Sequence, residues 1–239
     1  MKNSCIAHRG WSGLAPENTL AAFKKTMDTP KIDMIELDVQ LSRDGIPVVI
    51  HDYTLERTTN GSGDVSSFTL QELKRLDAGS WFSESFADER IPTLEEVFQL
   101  VKGNKRLNIE IKRAGDRSSG IEQTIADLVR AYNMESSVIV TSFNHESIRN
   151  LLTIAPEIKR GLIIYGMPIL LQELLKDTGA AVLSMCYPYL TESFVRPLLD
   201  QDLDIIAWTI DQPEHMQQIA KLDERIGICT NHPERWLSL

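Results

Sequence analysis

Short apolar segments alternate along most of this chain with segments of helical periodicity. Such an order predicts parallel strands joined by helices, because two consecutive parallel strands need a crossover connection. Eight strands are predicted, at 4–8, 33–39, 107–112, 137–142, 159–164, 181–185, 203–209 and 225–229, and the main helices at 19–26, 93–101, 121–132, 145–154, 167–176, 191–199 and 213–222. Eight such units in 239 residues favour a single α/β domain, a closed (β/α)8 TIM barrel. An open doubly wound sheet is the alternative, but no G-x-G-x-x-G follows any strand.

One segment interrupts the alternation. Residues 46–90 contain the turn-forming stretch TTNGSGDVSS and a short helical pattern near 70–76. We expect residues 1–239 to form one barrel and 46–90 to be a small subdomain inserted after the second strand. Its expected position is the C-terminal face of the barrel, where barrel enzymes place substrate-binding loops.

The stretch MIELDVQLSRDGIPVVIHD reads as a β-hairpin that contains unusually many charged residues. If Asp44-Gly45 forms a two-residue turn, Arg43 pairs with Ile46, and counting back places Asp38 opposite His51. We therefore expect these two side chains to be neighbours across the strands.

Charged and aromatic side chains occur where the predicted strands end. Because active sites of such barrels lie at the carboxyl ends of the strands, these residues are candidates for one site. They are His8 and Arg9 after strand one, Glu36 and Asp38 on strand two, Glu110 and Lys112 on strand three, and the aromatic residues Phe143 and Trp208 further along.

The residue types in this set indicate metal-assisted chemistry on a phosphate ester. Glu36, Asp38 and Glu110 offer the oxygen ligands that Mg²⁺ or Ca²⁺ prefers. Two histidines transfer protons near neutral pH, and cations such as Arg9 bind phosphate oxygens. Individually, each pattern is common on strand faces or in surface ion pairs, so the hypothesis depends on their conjunction at strand ends.

Composition restricts the partners. A net charge of −9 argues against nucleic acid, which needs a basic face. No stretch approaches about 18 uninterrupted apolar residues, and the N-terminus lacks the apolar segment of a signal peptide. The three cysteines are expected to be free buried thiols, so we expect a cytoplasmic protein without stable membrane association.

The quoted residues resemble the glycerophosphodiester phosphodiesterase family. Its signature is His-Arg, then Glu-x-Asp, then His, and further blocks occur here in the same order, including HRGWSGLAPENTLAAF, HDYTLERTTNGSG, NIEIK and AWTID. The resemblance covers essentially the whole chain. One departure is Asn231, in TNHP, where relatives commonly have Asp; we expect this position to be peripheral to the chemistry.

The resemblance implies hydrolysis of glycerophosphodiesters to sn-glycerol 3-phosphate and an alcohol. It also implies that two histidines are the acid–base pair, that three carboxylates bind a divalent ion (Mg²⁺, Ca²⁺ or Mn²⁺), and that two cations hold the phosphate of a small substrate. By position these are His8 and His51, then Glu36, Asp38 and Glu110, then Arg9 and Lys112. The nucleophile, the acid and base roles of the histidines and the oligomeric state stay open. Two other classes are a non-catalytic phosphate-binding barrel and a lyase or aldolase that uses a Schiff-base lysine.

Overall fold

Eight parallel strands close into a barrel in the computed structural model, which describes residues 1–113 and 120–239. The strands are β1 (Cys5–Ala7), β2 (Met34–Leu41), β4 (Arg106–Ile111), β5 (Val138–Ser142), β6 (Lys159–Ile164), β7 (Val182–Cys186), β8 (Asp204–Trp208) and β9 (Gly227–Thr230), with the short β3 (Pro47–Val49) antiparallel to β2. Pairing of β1 with both β2 and β9 closes the barrel. The predicted (β/α)8 fold is confirmed.

Helices connect the strands and cover the outside of the barrel. They are α1 (Leu20–Met27), α2 (Leu70–Leu73), α3 (Leu94–Val101), α4 (Ile121–Ala131), α5 (His145–Ile154), α6 (Leu171–Thr178), α7 (Glu192–Leu199), α8 (Pro213–Leu222) and α9 (Pro233–Leu237). Thr19 and Thr93 accept hydrogen bonds from backbone amides at the starts of α1 and α3, as favourable N-caps do. Helix α6 begins four residues later than predicted, beyond Pro168, and α9 was not predicted.

The inward-facing residues of the barrel are apolar at one end and polar at the other. Side chains from the N-terminal halves of several strands, including Ile6, Met34 and Ile139, form an apolar cluster inside the barrel. Strand periodicity then places Glu36 and Asp38 on the same inward face, two and four residues after Met34. The outward residues between them, such as Leu37, pack in the larger core beneath the helices. Alternation of residue types along β2 thus directs its two acids into the C-terminal end of the barrel.

The register of the hairpin differs from the prediction by one residue. Val39 pairs with Val49 and Leu41 with Pro47, so the loop has three residues, 43–45, closed between Ser42 and Ile46. Gly45 has a φ of 78°, which a three-residue hairpin loop requires at its last position. Ile50, and not His51, is therefore opposite Asp38, and the predicted cross-strand pairing of His51 with Asp38 is wrong.

Residues 46–90 form β3, α2 and several turns between β2 and α3. Seven buried residues from this region and its margin make an apolar cluster separate from the main core: Val48, Ile50, Leu55, Val65, Leu73, Ala78 and Ile91. The description of this segment as an inserted subdomain stays a prediction.

Among the described residues, no helix is both long and apolar enough to cross a membrane. Cys5, Cys186 and Cys229 are free thiols, and Cys186 is the least buried of the three.

Candidate active site

A cavity of about 180 Å³ at the C-terminal end of the barrel brings the predicted site residues together. Asp38 is buried beside it, only 1% exposed. Eight of the nine predicted residues line the cavity: His8, Arg9, Glu36, His51, Glu110, Lys112, Phe143 and Trp208. The strands that end here and the loop after β3 therefore converge on one place.

Three carboxylates form the centre of the site. Asp38 on β2 is the register partner of Glu110 on β4, and Glu36 lies two residues earlier on the same face as Asp38. One oxygen from each of the three lies within 4.8 Å of the others. Adjacent strand ends thus produce a compact, largely buried acidic cluster.

The protonation of the three acids differs with their neighbours. Burial, together with the charges of Asp38 and Glu110, raises the pKa of Glu36 well above its usual range. Burial and Asp38 likewise raise the pKa of Glu110 to about 7. Burial alone would raise the pKa of Asp38, but Arg9 and Lys112 outweigh it and hold that pKa at about 2. The cluster as it stands has too little positive charge to keep all three acids ionised.

The cluster fits a divalent cation. Its ligands are carboxylate oxygens, which suit Mg²⁺, Ca²⁺ and Mn²⁺. The Oδ1 atom of Asp38 is buried and has no hydrogen-bond donor within the described residues, although Lys112 Nζ lies 3.6 Å away. A cation bound among the acids would supply a partner for this oxygen and the positive charge that Glu36 and Glu110 lack.

The two predicted phosphate-binding cations contact the acids. Arg9 has a left-handed backbone with a φ of 56°, and its amide donates to Glu36 at 2.8 Å. Its guanidinium lies 3.3 Å from Asp38 and donates to Glu17 at 2.8 Å. Lys112 Nζ donates to Glu110 at 2.6 Å. Both side chains line the cavity, so they remain within reach of a bound anion.

His51 is held by a chain of charged residues that the sequence analysis did not identify. Its Nδ1 is 2.6 Å from Asp52, and Arg57 donates to both oxygens of Asp52 at 2.6 and 2.9 Å. Arg57 also donates to both oxygens of Glu17, the acid bound by Arg9. Burial is the main cause that lowers the pKa of His51, and the charge of Asp38 and the hydrogen bond to Asp52 oppose it. This series of hydrogen-bonded ion pairs connects the loop after β3 to the loop after β1.

His8 has a different kind of partner. Its Nδ1 lies 2.7 Å from Oδ1 of Asn231, and its Nε2 lies 3.9 Å from Glu36. Burial, the largest cause, and the charge of Arg9 lower the pKa of His8 to about 4. Asn231 in turn donates to Asp211. The expectation that Asn231 is peripheral is therefore wrong, because this residue directly contacts a candidate proton carrier.

Aromatic rings form one side of the cavity. Phe143 and Trp208 are in edge-to-face contact with ring centroids 5.7 Å apart, and Tyr165 lies 6.3 Å from Trp208. Phe143 is 49% exposed. The indole Nε1 of Trp208 is buried without a hydrogen-bond partner in the described part of the chain. This side therefore offers apolar contact to a bound molecule.

Sequence reasoning missed the residues that hold the histidines. Glu17, Asp52 and Arg57 lie within the quoted blocks APENT and HDYTLER, so their presence in charged motifs was a usable signal. Asp211 ends the block AWTID, and Asn231 was noticed only as a departure. Their contacts cross from one loop to another, which spacing along a single chain does not reveal.

Comparison with known proteins finds relatives along essentially the whole chain. The model of the glycerophosphoryl diester phosphodiesterase family matches residues 8–235. A glycerophosphodiester phosphodiesterase of Caldanaerobacter subterraneus subsp. tengcongensis is 44% identical over 241 residues, covering 100% of this chain and 98% of the relative. A glycerophosphodiester phosphodiesterase of Bacillus subtilis is 32% identical over 247 residues, covering 96% of this chain and 83% of the relative.

Solved structures show the same likeness in three dimensions. An Oleispira antarctica phosphodiesterase in complex with the product sn-glycerol-3-phosphate has a TM-score of 0.87 at 31% identity, over 98% of this chain and 95% of that one. A glycerophosphodiester phosphodiesterase from Agrobacterium tumefaciens has a TM-score of 0.86 at 28% identity, over 99% and 100% of the two chains. Since the family model and full-length relatives both match, the chain belongs to the glycerophosphoryl diester phosphodiesterase family.

Proposed function

We propose that this enzyme hydrolyses glycerophosphodiesters to sn-glycerol 3-phosphate and an alcohol, using a divalent metal and two histidines. The observation that supports this most strongly is the convergence of Glu36, Asp38 and Glu110 within 4.8 Å, in a cavity that His8 and His51 also line. The phosphodiesterase of Oleispira antarctica, whose structure contains sn-glycerol-3-phosphate, is similar to this protein over 98% of the present chain.

The three acids would hold the metal. A divalent cation there would withdraw charge from a phosphoryl oxygen and lower the pKa of a bound hydroxyl or water. Glu36 and Glu110 must lose their protons to bind it, because a carboxylate ligand is deprotonated. Mg²⁺, Ca²⁺ and Mn²⁺ all suit an all-oxygen set of ligands.

Arg9 and Lys112 would donate hydrogen bonds to the phosphate oxygens. Both line the cavity and both contact the acidic cluster, so they lie on the side where a phosphate would approach it. Trp208 and Phe143 are in edge-to-face contact, and their rings would contact the carbon atoms of the substrate.

The histidines would transfer the protons. One accepts a proton from the nucleophile as its oxygen attacks phosphorus, and the other donates a proton to the oxygen of the departing alcohol. Water and the glycerol 2-hydroxyl are the two nucleophiles compatible with this scheme. Hydrolysis in ¹⁸O-labelled water, with a search for a cyclic phosphate, distinguishes them.

Residues 46–90 would complete the site from the C-terminal face. His51 follows β3 at the beginning of this segment and lines the cavity, while Arg57 links the same segment to Glu17 in the loop after β1. We propose that the segment is an inserted subdomain of a single barrel domain that positions His51 beside the metal ligands.

The proposed location of the enzyme and the size of its substrate follow from charge and composition. A net charge of −9 suits a small deacylated substrate better than nucleic acid or an anionic membrane surface. Free thiols in an otherwise ordinary soluble composition suit the cytoplasm. We therefore propose a cytoplasmic enzyme of small glycerophosphodiesters, without stable membrane association.

A Schiff-base mechanism is disfavoured by the surroundings of Lys112. Burial lowers the pKa of this amine, but Asp38 and Glu110 outweigh burial and raise it above its usual value. A Schiff-base lysine needs the neutral amine and therefore a lowered pKa. Borohydride with a carbonyl substrate is accordingly expected to trap no adduct.

Phosphorus NMR of the purified enzyme tests the proposal. Glycerophosphocholine, glycerophosphoethanolamine and glycerophosphoglycerol are supplied separately with Mg²⁺, Ca²⁺ or Mn²⁺. We expect the diester signal to be replaced by that of sn-glycerol 3-phosphate for at least one pair of substrate and metal. Absence of hydrolysis for every pair would overturn the proposal and favour a non-catalytic phosphate-binding barrel.

A further inference from the structure

We propose that Asp211 and Asn231 are positioning residues that fix a proton on Nδ1 of His8 and direct its Nε2 into the active site. The inference rests on the proposed function, because it assigns this pair a part in the same proton transfer. Neither residue was a candidate from the sequence, and neither lines the cavity.

The pair connects the ends of three neighbouring strands. Asp211 follows β8, Asn231 follows β9 and His8 follows β1, and β9 lies between the other two in the barrel. The hydrogen bonds therefore cross the barrel rim in strand order, from Asp211 to Asn231 to His8. Short loops after paired strands give each group a defined position.

The carboxylate of Asp211 determines which way the Asn231 amide points. Oδ1 of Asp211 accepts from the backbone amide of Asn231 at 2.9 Å and from the hydroxyl of Thr230 at 3.0 Å. Its Oδ2 is 2.8 Å from Nδ2 of Asn231. Since an ionised carboxylate only accepts hydrogen bonds, the side-chain NH₂ of Asn231 must face Asp211. The opposite flip would place two oxygen atoms against each other.

The same orientation determines the tautomer of His8. With its NH₂ towards Asp211, Asn231 presents only Oδ1, an acceptor, to Nδ1 of His8 at 2.7 Å. Nδ1 must therefore carry a hydrogen. Ser12 lies 2.8 Å from the same Oδ1 and 2.8 Å from the carbonyl oxygen of His8, and its single hydroxyl proton is donated to one of these two acceptors at a time.

The consequence concerns the other ring nitrogen. In the neutral ring with its hydrogen on Nδ1, the free electron pair is on Nε2. Nε2 is the atom on the side of the metal ligands, 3.9 Å from Oε2 of Glu36. Asp211 and Asn231 thus turn the acceptor nitrogen of His8 towards the cavity that His8 lines.

His51 provides a contrast within the same cavity. Its Nδ1 is held directly by the carboxylate of Asp52, whereas the amide of Asn231 separates His8 from the carboxylate of Asp211. Both arrangements orient a ring, but only the second depends on the flip of an amide. Removing the charge of Asp211 should therefore affect His8 without affecting His51.

Two variants and one control test the pair by kinetics. Asn231→Ala removes the acceptor, and Asp211→Asn removes the charge that orients the amide. We expect each variant to lower kcat by roughly 10²-fold, because His8 would no longer be held in the orientation and tautomer that proton transfer needs. KM and metal affinity should be unchanged. Glu234→Gln is the matched control, because Glu234 accepts from the neighbouring His232, and we expect it to leave kcat unchanged.

The double variant separates positioning from stability. If Asp211 acts through Asn231, adding Asp211→Asn to Asn231→Ala lowers kcat no further, whereas independent structural damage would add. Independently of turnover, ¹⁵N NMR of the imidazole nitrogens should show His8 with its proton on Nδ1, assigned by comparison with His8→Ala. In Asp211→Asn the signals should shift towards a mixture of both neutral tautomers.

The outcomes that would overturn the inference differ from failure of the proposed function. A wild-type His8 with its neutral proton on Nε2, or an Asp211→Asn variant with unchanged kcat, would overturn the positioning role. An inactive wild type would instead overturn the proposed function, while the NMR measurement would still report the tautomer.

Discussion

Replacement of His51 by alanine separates proton transfer from metal binding. His51 lines the cavity but is not among the three clustered carboxylates. We expect His51→Ala to remove a proton carrier while Glu36, Asp38 and Glu110 keep their positions. Metal affinity should therefore be preserved while kcat falls.

The expected losses in kcat and in folding stability differ in size. Loss of a general acid or base lowers kcat by roughly 10²–10⁴-fold, equivalent to about 3–5 kcal/mol in the barrier. The cost in folding is smaller, because the side chain of His51 is 30% exposed and, among the residues that the structure describes, makes one hydrogen bond, to Asp52. Asp52 stays paired with Arg57 in the variant, so we expect a loss of about 1 kcal/mol in the free energy of unfolding.

Steady-state kinetics, calorimetric metal titration and urea unfolding of the same preparations measure these effects. Glu36→Ala serves as the contrast, because loss of a ligand should weaken metal binding and excess metal should restore part of the activity. His215→Ala is the matched control, since the His215 side chain is also hydrogen-bonded, to Tyr187, but lies outside the cavity. It should leave kcat unchanged.

The division of roles would be refuted by either of two results. If His51→Ala abolishes metal binding, His51 is a metal ligand. If excess metal restores its activity as it does for Glu36→Ala, the two residues share one role and His51 is not the proton carrier.

Three further perturbations test neighbouring features. Arg57→Met should lower kcat in steady-state assays, but less than loss of the histidine does, because Asp52 keeps its contact with the ring. Gly10→Ala should destabilise the fold in urea unfolding by about 1–3 kcal/mol, since φ is 77° and a Cβ would lie 2.8 Å from Ala22. Burial and Asp38 raise the pKa of Glu110 to about 7, so the metal-free folded protein retains a proton that the unfolded chain loses near pH 4.5. Between about pH 4.5 and about pH 7, the metal-free wild type should therefore lose free energy of unfolding relative to Glu110→Gln, as compared by urea unfolding at each pH.

The barrel was predictable because its pattern is local. Each strand is a short apolar run, and the charged residues of β2 and β4 occur where a barrel places its chemistry. Predicted and observed strand ends differ by no more than two residues. The convergence of Glu36, Asp38 and Glu110 followed from strand order alone, since neighbouring carboxyl ends meet at one rim.

The hairpin register was not predictable from Asp44-Gly45 alone. The same dipeptide suits a two-residue turn and the end of a three-residue loop, and contacts outside the turn distinguish them. Here Asp44 accepts from Ser42 and from the amide of Leu70, so the loop is held by α2 as well as by its own strands. Sequence periodicity contains no information about that contact.

The hydrogen-bonding partners that hold the two histidines also could not be predicted from the sequence. Asn231 lies 223 residues from His8 in the chain, yet the two are in hydrogen-bond contact. Arg57 reaches Glu17 across 40 residues. A motif shows that polar residues are present, but only the closed barrel shows which acceptor faces which ring nitrogen.

Metal titration of the wild-type enzyme, followed by both calorimetry and activity, tests the central claim most directly. After treatment with EDTA and removal of the chelator, we expect no turnover of a glycerophosphodiester. Added Mg²⁺, Ca²⁺ or Mn²⁺ should then bind one ion per chain at the cluster of Glu36, Asp38 and Glu110, release protons on binding, and restore activity in proportion to occupancy. Full turnover by the metal-free enzyme, or unchanged metal affinity in Glu110→Gln, would contradict the account.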